Sequence, residues 1–206
     1  MPGPAGERPS DAELLRRHVA GDGDAFGELF RRHRDRLWAV ALRTVCDPEE
    51  AADALQDAMV SAFRRAGDFR GESAVTTWLH RIVVNACLDR LRRRAARPAT
   101  PAGDEQAFEA LAARDGDPAA TSDTKLDVDA ALRLLPPQQR AALVVVDMLG
   151  FSVADAAVIL GTSPGTVKSR CARARARLLP YLAHLRAGQG NRTAGKSVSP
   201  AQGGDA

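Results

Sequence analysis

The sequence predicts an all-α protein made of two small helical domains joined by a flexible linker. Three observations lead to this fold class: apolar residues recur at helical spacing in both halves, capping residues precede these segments, and a stretch punctuated by Pro and Gly separates them. Hydrophobic residues make up 45% of the 206-residue chain but aromatic residues only 4%, which favours an Ala- and Leu-rich helical fold over a β-sandwich. The predicted boundaries are a flexible leader at 1–23, a first domain at 24–94, an acidic linker at 95–126, a second domain at 127–186 and a disordered tail at 187–206.

The first domain contains three predicted helices. Asp24 is placed to cap the first of them, which ends near Cys46. Asp47 and Pro48 then mark a strong helix start, because Asp is a preferred N-cap and Pro suits the first helical position. The third helix begins near Ala74, after a loop bounded by glycines, and runs into an arginine-rich block.

The second predicted helix has one apolar and one acidic face. By helical spacing, the residues expected to face the core are Ala52, Leu55, Met59 and Phe63. The residues of the acidic face, which are expected to point outward, are Glu49, Asp53, Gln56 and Asp57. We therefore expect the first domain to present a row of carboxylates on its surface.

The densest motif of the chain predicts a helix-turn-helix over about 153–172. Ser152 can cap a short first helix, and Gly161 can end it because glycine readily takes the left-handed conformation found at helix C-termini. Ser163 followed by Pro164 starts a second helix almost at once. Two helices joined by such a tight turn are typical of DNA-binding modules.

The second helix of this motif also has two faces. Its inward residues are predicted to be Val167, Cys171, Ala174 and Leu178. Its opposite face carries Thr166, Arg170, Arg173 and Arg177. A helix with free N-terminal residues and a basic face suits the major groove, where hydroxyl and guanidinium groups contact base edges and phosphates.

Other classes of protein fit the sequence poorly. The longest apolar run, Ala141–Val146, is far shorter than the ~20 residues of a membrane helix, and no signal peptide is evident, so we expect a cytoplasmic protein. The three cysteines are widely spaced, which favours reduced, packed thiols over a zinc or disulfide site. Scattered histidines and the lack of a Gly-rich phosphate loop argue against an enzyme, and we expect no cofactor, metal or small-molecule substrate.

Two independent motif sets resemble the sigma-70 superfamily, specifically its extracytoplasmic-function (ECF) subfamily. The motifs that resemble the family's domain 4, with its −35-reading helix, are Leu135-Pro136 with Arg140 and the run Ser163–Arg170. Those that resemble its domain 2 are Asp47–Asp57 for polymerase binding, and Phe69–Gly71, Thr77–Leu79, Ile82 and Asn85 for the −10 region. Within the subfamily, the sequence is similar to the actinobacterial sigma-M type.

The resemblance implies an alternative sigma factor that binds core RNA polymerase and directs promoter-specific initiation. The implied −35 contacts are Ser163, Gly165, Thr166, Lys168, Ser169, Arg170, Arg173 and Arg177. The implied −10 contacts are Asp68, Phe69, Arg70, Trp78, Arg81, Asn85, Arg90, Arg92 and Arg93. The implied polymerase contacts are Glu49, Glu50, Asp53, Gln56 and Asp57. The partners implied are the polymerase β′ clamp and β flap, promoter DNA, and an anti-sigma factor able to hold the chain at the membrane.

Two questions stay open at the level of sequence. A helix-turn-helix regulator that does not act as a sigma subunit would account for the second domain, although it leaves the first-domain helices unexplained. Trp78 shares a helical stripe with Ile82, which favours core packing over base contact. The chain departs from the family pattern at Val75, Ala156 and Cys171, and these departures bear on packing and promoter preference.

Overall fold

The computed structural model describes residues 8–96 and 122–190, and within these ranges it is helical and contains no strand, which confirms the all-α fold class. The helices of the first half are α1 (Asp11–Val19), α2 (Ala25–Val45), α3 (Pro48–Arg64) and α4 (Val75–Ala96), with a 3-10 turn at Ala66–Asp68. Those of the second half are α5 (Ser122–Arg133), α6 (Pro137–Leu143), a π-helical turn (Val144–Met148), α7 (Val153–Leu160) and α8 (Pro164–Gly190).

The N-terminal segment forms a helix, so the prediction of a flexible leader over 1–23 is wrong for α1. Ser10 caps this helix by accepting a hydrogen bond from the backbone N–H of Glu13. Leu14 and Leu15 are buried in the core of the first half. These two leucines are the buried residues of α1, and so few apolar residues produce only a weak periodic signal in the sequence.

The start of α2 is capped differently from the prediction. Asp24 makes no side-chain capping bond; the Asp22 carboxylate instead accepts the N–H groups of Asp24 and Ala25. The predicted start of α3 is confirmed, since the Asp47 carboxylate accepts the N–H groups of its first turn and Pro48 occupies the first helical position. The end of α2 near Cys46 is also confirmed.

The predicted core face of α3 is confirmed only in part, because most of its buried residues are alanines that were not predicted. Its buried residues are Ala51, Ala54, Leu55, Ala58 and Ala62. Leu55 is buried and Met59 is partly buried, as predicted, whereas Ala52 is exposed and Phe63 is 50% exposed. The buried face is therefore rotated relative to the predicted one. Alanine side chains allow close approach of helix backbones, and α3 packs between α2 and α4.

The predicted boundaries of the second half also change. The linker predicted over 95–126 is helical at both of its ends, because α4 runs to Ala96 and α5 begins at Ser122. The tail predicted from residue 187 begins inside α8, which continues to Gly190. The remainder of the predicted leader, linker and tail, at 1–7, 97–121 and 191–206, lies outside the described residues.

The two halves pack against each other in this structure. Helix α7 lies against α4, and α6 lies against α2. The Phe151 ring sits between the ring of His80, at 5.0 Å between centroids, and the guanidinium of Arg36, at 5.8 Å from the ring centroid. Arg36 also donates a 2.9 Å hydrogen bond to the carbonyl of Leu149. The core of the first half is therefore continuous with that of the helix-turn-helix.

Candidate nucleic-acid interface

The turn between α7 and α8 has the geometry that the sequence predicts for a helix-turn-helix. The Ser152 hydroxyl accepts the N–H of Asp155 and donates to its carboxylate at 2.7 Å, which forms a reciprocal cap. Gly161 ends α7 in the left-handed region with φ of 58°. The Ser163 hydroxyl then accepts the N–H of Thr166 at 3.2 Å, and α8 begins at Pro164.

The apolar face of α8 holds this helix against its neighbours. Val167, Cys171, Ala174 and Leu178 are all buried, as predicted. Ala157 is buried as well, at the point where a large side chain would hold the two helices apart. Packing of this apolar face therefore orients α8 against its neighbours.

The basic face of α8 is available for contact with an anion. Lys168, Arg173 and Arg177 are exposed and Arg170 is half-buried. Within the described residues, none of these four side chains has an acidic partner within salt-bridge distance. Arg175, on another face of α8, instead forms a bidentate pair with Asp147 at 2.6 and 2.9 Å. The four residues of the basic face can therefore bind phosphate, whereas Arg175 holds α8 to the preceding segment.

A cavity of about 640 Å³ opens between α3, the loop after it and α4. The predicted −10 residues that line it are Asp68, Phe69, Arg70, Trp78, Arg81, Asn85 and Arg93. Its aromatic wall is formed by Phe69 and Trp78, whose ring centroids are 5.6 Å apart. Trp78 packs against the core with one part of its ring and faces the cavity with another, so core packing and ligand contact are compatible.

Several residues of this cavity were not among the predicted −10 contacts. Polar ones among them are Ser61, Arg65 and Asp89, together with Asp57, which was assigned to polymerase binding. Glu72 and Ser73 also line the cavity, directly after the motif Phe69–Gly71 that was assigned to the −10 region. Helical spacing indicates some of them, because Asp57 and Ser61 share one face of α3 and Asp89 follows Asn85 by four positions on α4. The packing of α3 against α4 is a tertiary contact, which residue spacing alone does not predict.

Arg90 and Arg92 lie apart from the cavity. Arg92 pairs with Asp89 on its own helix. The Arg90 guanidinium instead bridges α4 to α3: Nε donates to Glu50 and Nη2 donates to Asp53, each at 2.7 Å, and Nη1 lies 3.5 Å from Asp57. This pairing, above all the hydrogen bond to Glu50, raises the pKa of Arg90 above its ordinary value.

The same contacts divide the predicted polymerase-binding face. Glu50, Asp53 and Asp57 are engaged with Arg90, whereas Glu49 and Gln56 make no side-chain hydrogen bond within the described residues. Asp53 and Asp57 remain 61% and 58% exposed, so their free oxygens can still accept a bond from a partner. The acidic face is thus open to solvent, although the Arg90 side chain beside it is mostly buried.

Burial sets the ionisation of the groups inside the molecule. It raises the pKa of the Cys87 thiol to about 12, and it also raises the pKa values of Cys46 and Cys171. It lowers the pKa of His80, whose Nδ1 donates to the carbonyl of Thr76 at 2.6 Å. Within the described residues, no group of three or more His, Cys, Asp or Glu side chains is placed to hold a metal, and no helix is long and apolar enough to cross a membrane.

Comparison with known proteins identifies the family. The Sigma-70 region 2 model matches residues 29–97, and the Sigma-70 region 4 model matches residues 125–178. The ECF RNA polymerase sigma factor SigM of Mycobacterium tuberculosis H37Rv is 55% identical over 179 residues, covering 87% of this chain and 88% of that protein. The ECF RNA polymerase sigma-E factor of Escherichia coli K12 is 31% identical, covering 82% and 92%.

Solved structures give the same result. CnrH in complex with the cytosolic domain of CnrY matches with a TM-score of 0.61 at 27% identity, covering 84% of this chain and 97% of that chain. The sigma factor RpoE of Bartonella quintana, in complex with the anti-sigma factor NepR, matches with a TM-score of 0.60 at 27% identity, covering 78% and 98%. The chain belongs to the ECF subfamily of sigma factors, the proteins that direct core RNA polymerase to promoters.

Proposed function

We propose that this sigma factor works as a two-armed adaptor, in which the first half binds core polymerase and the −10 element and the second half binds the −35 element. The observation that carries this proposal is the placement of an acidic face and a base-sized cavity on one pair of helices, α3 and α4. The alternative of a regulator that does not bind polymerase leaves both features without a role.

The second half is suited to duplex DNA. In this class of module the N-terminal end of the second helix enters the major groove. That end of α8 carries its first backbone N–H groups and the hydroxyls of Ser163 and Thr166. The hydroxyls and Arg170 are assigned to base edges, and Lys168, Arg173 and Arg177 to phosphates. Gly165 places no side chain between the start of α8 and the DNA. Ser169 donates to the carbonyl of Thr166 within the same helix.

The cavity of the first half is assigned to a base flipped out of the −10 non-template strand. Its volume lies within the ~300–1,000 Å³ of small-molecule sites. Phe69 and Trp78 offer an aromatic surface, and base–aromatic stacking contributes about 1–3 kcal/mol per base. Arg81 and Asn85 supply donors for the base edge, while Arg92 and Arg93 lie at the end of α4 for phosphates.

The acidic face of α3 is assigned to the basic clamp helices of the polymerase β′ subunit, with the β flap meeting the second half. Opposite charges in such an interface steer encounter and fix its register. We also propose that the protein acts in the cytoplasm and that an anti-sigma factor restrains it. The second proposal is supported by the structural relatives: RpoE is bound to an anti-sigma factor, and CnrH is bound to the cytosolic domain of CnrY.

Run-off transcription with purified core polymerase tests the proposal. Adding the protein should yield promoter-dependent transcripts from genomic templates, and the absence of any such transcript would refute it. The double variant Arg170→Ala/Arg173→Ala should lose −35 discrimination by about 1–3 kcal/mol per base contact while binding core polymerase normally. Arg16→Ala/Arg31→Ala, two exposed arginines of α1 and α2, is the charge-matched control. Loss of polymerase binding by the α8 variant would overturn the assignment of the two arms.

A further inference from the structure

We propose that Arg90 is a DNA-contacting residue which the free protein holds back, and that core polymerase releases it by taking over its carboxylate partners. The inference rests on the proposed function of the first half. Its starting point is that one cation of the predicted −10 set is bound by three carboxylates of the predicted polymerase-binding set. The two surfaces therefore share a single ion-pair cluster, which we call the Arg90 cluster: Glu50, Asp53, Asp57 and Arg90.

The exposures within the Arg90 cluster favour an exchange of partners. The Arg90 side chain is only 22% exposed, so in this arrangement DNA phosphates have little access to it. Asp53 and Asp57 are far more exposed, and an incoming cation can approach them from solvent. Each new cation that binds these carboxylates weakens their hold on Arg90, because it offsets their negative charge and repels the guanidinium.

The position of Arg90 explains where it would go. It follows Asp89 directly on α4 and precedes Arg93 by three residues, and both of these line the −10 cavity. Asp57, which lies 3.5 Å from Arg90, lines the same cavity. A guanidinium released from the carboxylates of α3 would therefore lie next to residues that line the cavity.

Linkage makes the exchange reciprocal. If polymerase binding frees Arg90 for DNA, DNA binding must strengthen polymerase binding by the same factor, because the coupling free energy belongs to both ligands. The arrangement would keep the unbound sigma factor weak toward promoter DNA without any other protein. It requires no movement of a helix, only new partners for one side chain.

The first experiment removes the carboxylates without polymerase. Binding of the full chain to a labelled −10 non-template single strand is followed by fluorescence anisotropy at several salt concentrations. Glu50→Gln/Asp53→Asn should bind several-fold more tightly than wild type, with a salt slope steeper by about 0.7 for one added phosphate contact. In the Arg90→Ala background, the same two substitutions should give no such gain.

The control separates release of Arg90 from a general change of charge. Glu28→Gln/Asp35→Asn also removes two carboxylates and frees arginines, but on α2. An equal gain in this control, or a gain from Glu50→Gln/Asp53→Asn that persists without Arg90, would overturn the proposal. Asp53→Asn alone, at an exposed position, serves as a milder second variant whose gain should be smaller but equally dependent on Arg90.

The second experiment uses the holoenzyme. Arg90→Ala should reduce the affinity of the holoenzyme for promoter DNA several-fold more than it reduces the weak DNA binding of the free protein, with Arg90→Lys restoring part of the loss. An equal effect with and without polymerase would contradict the release. Wild-type run-off transcription is measured alongside, so that failure of the sigma function itself is distinguished from failure of the Arg90 mechanism.

Discussion

His80 is a buried histidine that meets the second half of the molecule. Its Nε2 atom has no hydrogen-bond partner within the described residues, and its ring packs against Phe151. Burial lowers the pKa of His80, and its position beside Arg36 and His33, both on α2, adds to this effect. The folded protein therefore keeps this ring neutral at pH values at which the ring would be protonated in the unfolded chain.

This shift predicts that the protein loses stability in mild acid. As pH falls below about 6.5, the unfolded chain takes up a proton at His80 that the folded protein does not, so the free energy of unfolding decreases until the folded pKa is reached. Urea unfolding at pH 8 and at pH 5.5 measures the loss. His80→Gln should show a smaller loss over this interval, and an unchanged pH dependence would contradict the assignment.

The three thiols give a second prediction for single residues. Burial raises the pKa of each, to about 12 for Cys87, so all three are protonated at neutral pH and are poor nucleophiles. We expect slow alkylation by iodoacetamide at pH 7.5 in the folded protein and fast alkylation of all three in urea. Rapid modification of any one thiol in the native state would argue for a reactive, redox-sensitive cysteine at that position.

At the scale of the element, Gly161 sets the geometry of the helix-turn-helix. It takes a φ of 58°, although a Cβ at this position would meet no atom within 4 Å, so the constraint is conformational rather than steric crowding. Gly161→Ala should cost about 1–2 kcal/mol of stability in urea unfolding, the usual cost of a left-handed alanine. Gly165→Ala is the matched control, because Gly165 lies within α8.

In this control the added methyl would sit 3.9 Å from the Ser163 hydroxyl, an ordinary contact. Gly165→Ala should therefore be neutral or stabilising by about 0.4–1 kcal/mol, since it restricts the unfolded chain at a compatible position. If the two substitutions changed the free energy of unfolding equally, the left-handed conformation of Gly161 would not be the cause of the cost. Stability alone is compared here, because Gly165 belongs to the proposed DNA contact.

The elements that were predictable from sequence are those whose ends carry their own chemistry. Asp47, Ser152 and Ser163 all cap helices as predicted, because an N-cap depends on residues within one turn. The inward face of α3 was predicted correctly at Leu55 and in part at Met59, but its other core residues are alanines, which hydrophobic periodicity weighs lightly. Its large Phe63 instead stays half exposed against the rings of His18 and Phe26.

The candidate site shows the same division between local and tertiary information. The basic face of α8 follows from spacing along one helix, and the structure leaves it open as expected. Arg90 was grouped with the DNA contacts because it belongs to an arginine-rich block, but its partners are 33 to 40 residues away on α3. No local pattern predicts which of several neighbouring arginines meets an acidic partner on another helix.

At the scale of the whole molecule, the packing of one half on the other conflicts with simultaneous binding of both promoter elements. Elements centred near −35 and −10 are separated by about 85 Å of duplex at 3.4 Å per base pair. A compact body of about 160 residues has a radius of gyration of only about 15 Å. The proposed assignment of α8 to the −35 element and of the cavity to the −10 element therefore requires the two halves to separate.

Phe151 is the side chain through which this separation can be tested. It is held by Arg36 and His80 of the first half, and Phe151→Ala removes both contacts without touching the proposed DNA or polymerase surfaces. We expect the radius of gyration from small-angle X-ray scattering to increase in the free variant, because the remaining contacts between the halves no longer outweigh the freedom of separated domains. Val158→Ala, which shortens an exposed side chain on α7, should leave it unchanged.

The same variant should also change how the protein meets the polymerase. When the packed arrangement of the halves dominates in the free protein, opening it costs free energy that polymerase binding must supply. Phe151→Ala should therefore bind core polymerase more tightly than wild type. Its transcription start sites should be the same. Competition for core polymerase against labelled wild-type sigma factor measures the ratio. An increased radius of gyration without tighter binding would show that the packed halves do not oppose docking, and that polymerase accepts the closed form before the arms separate.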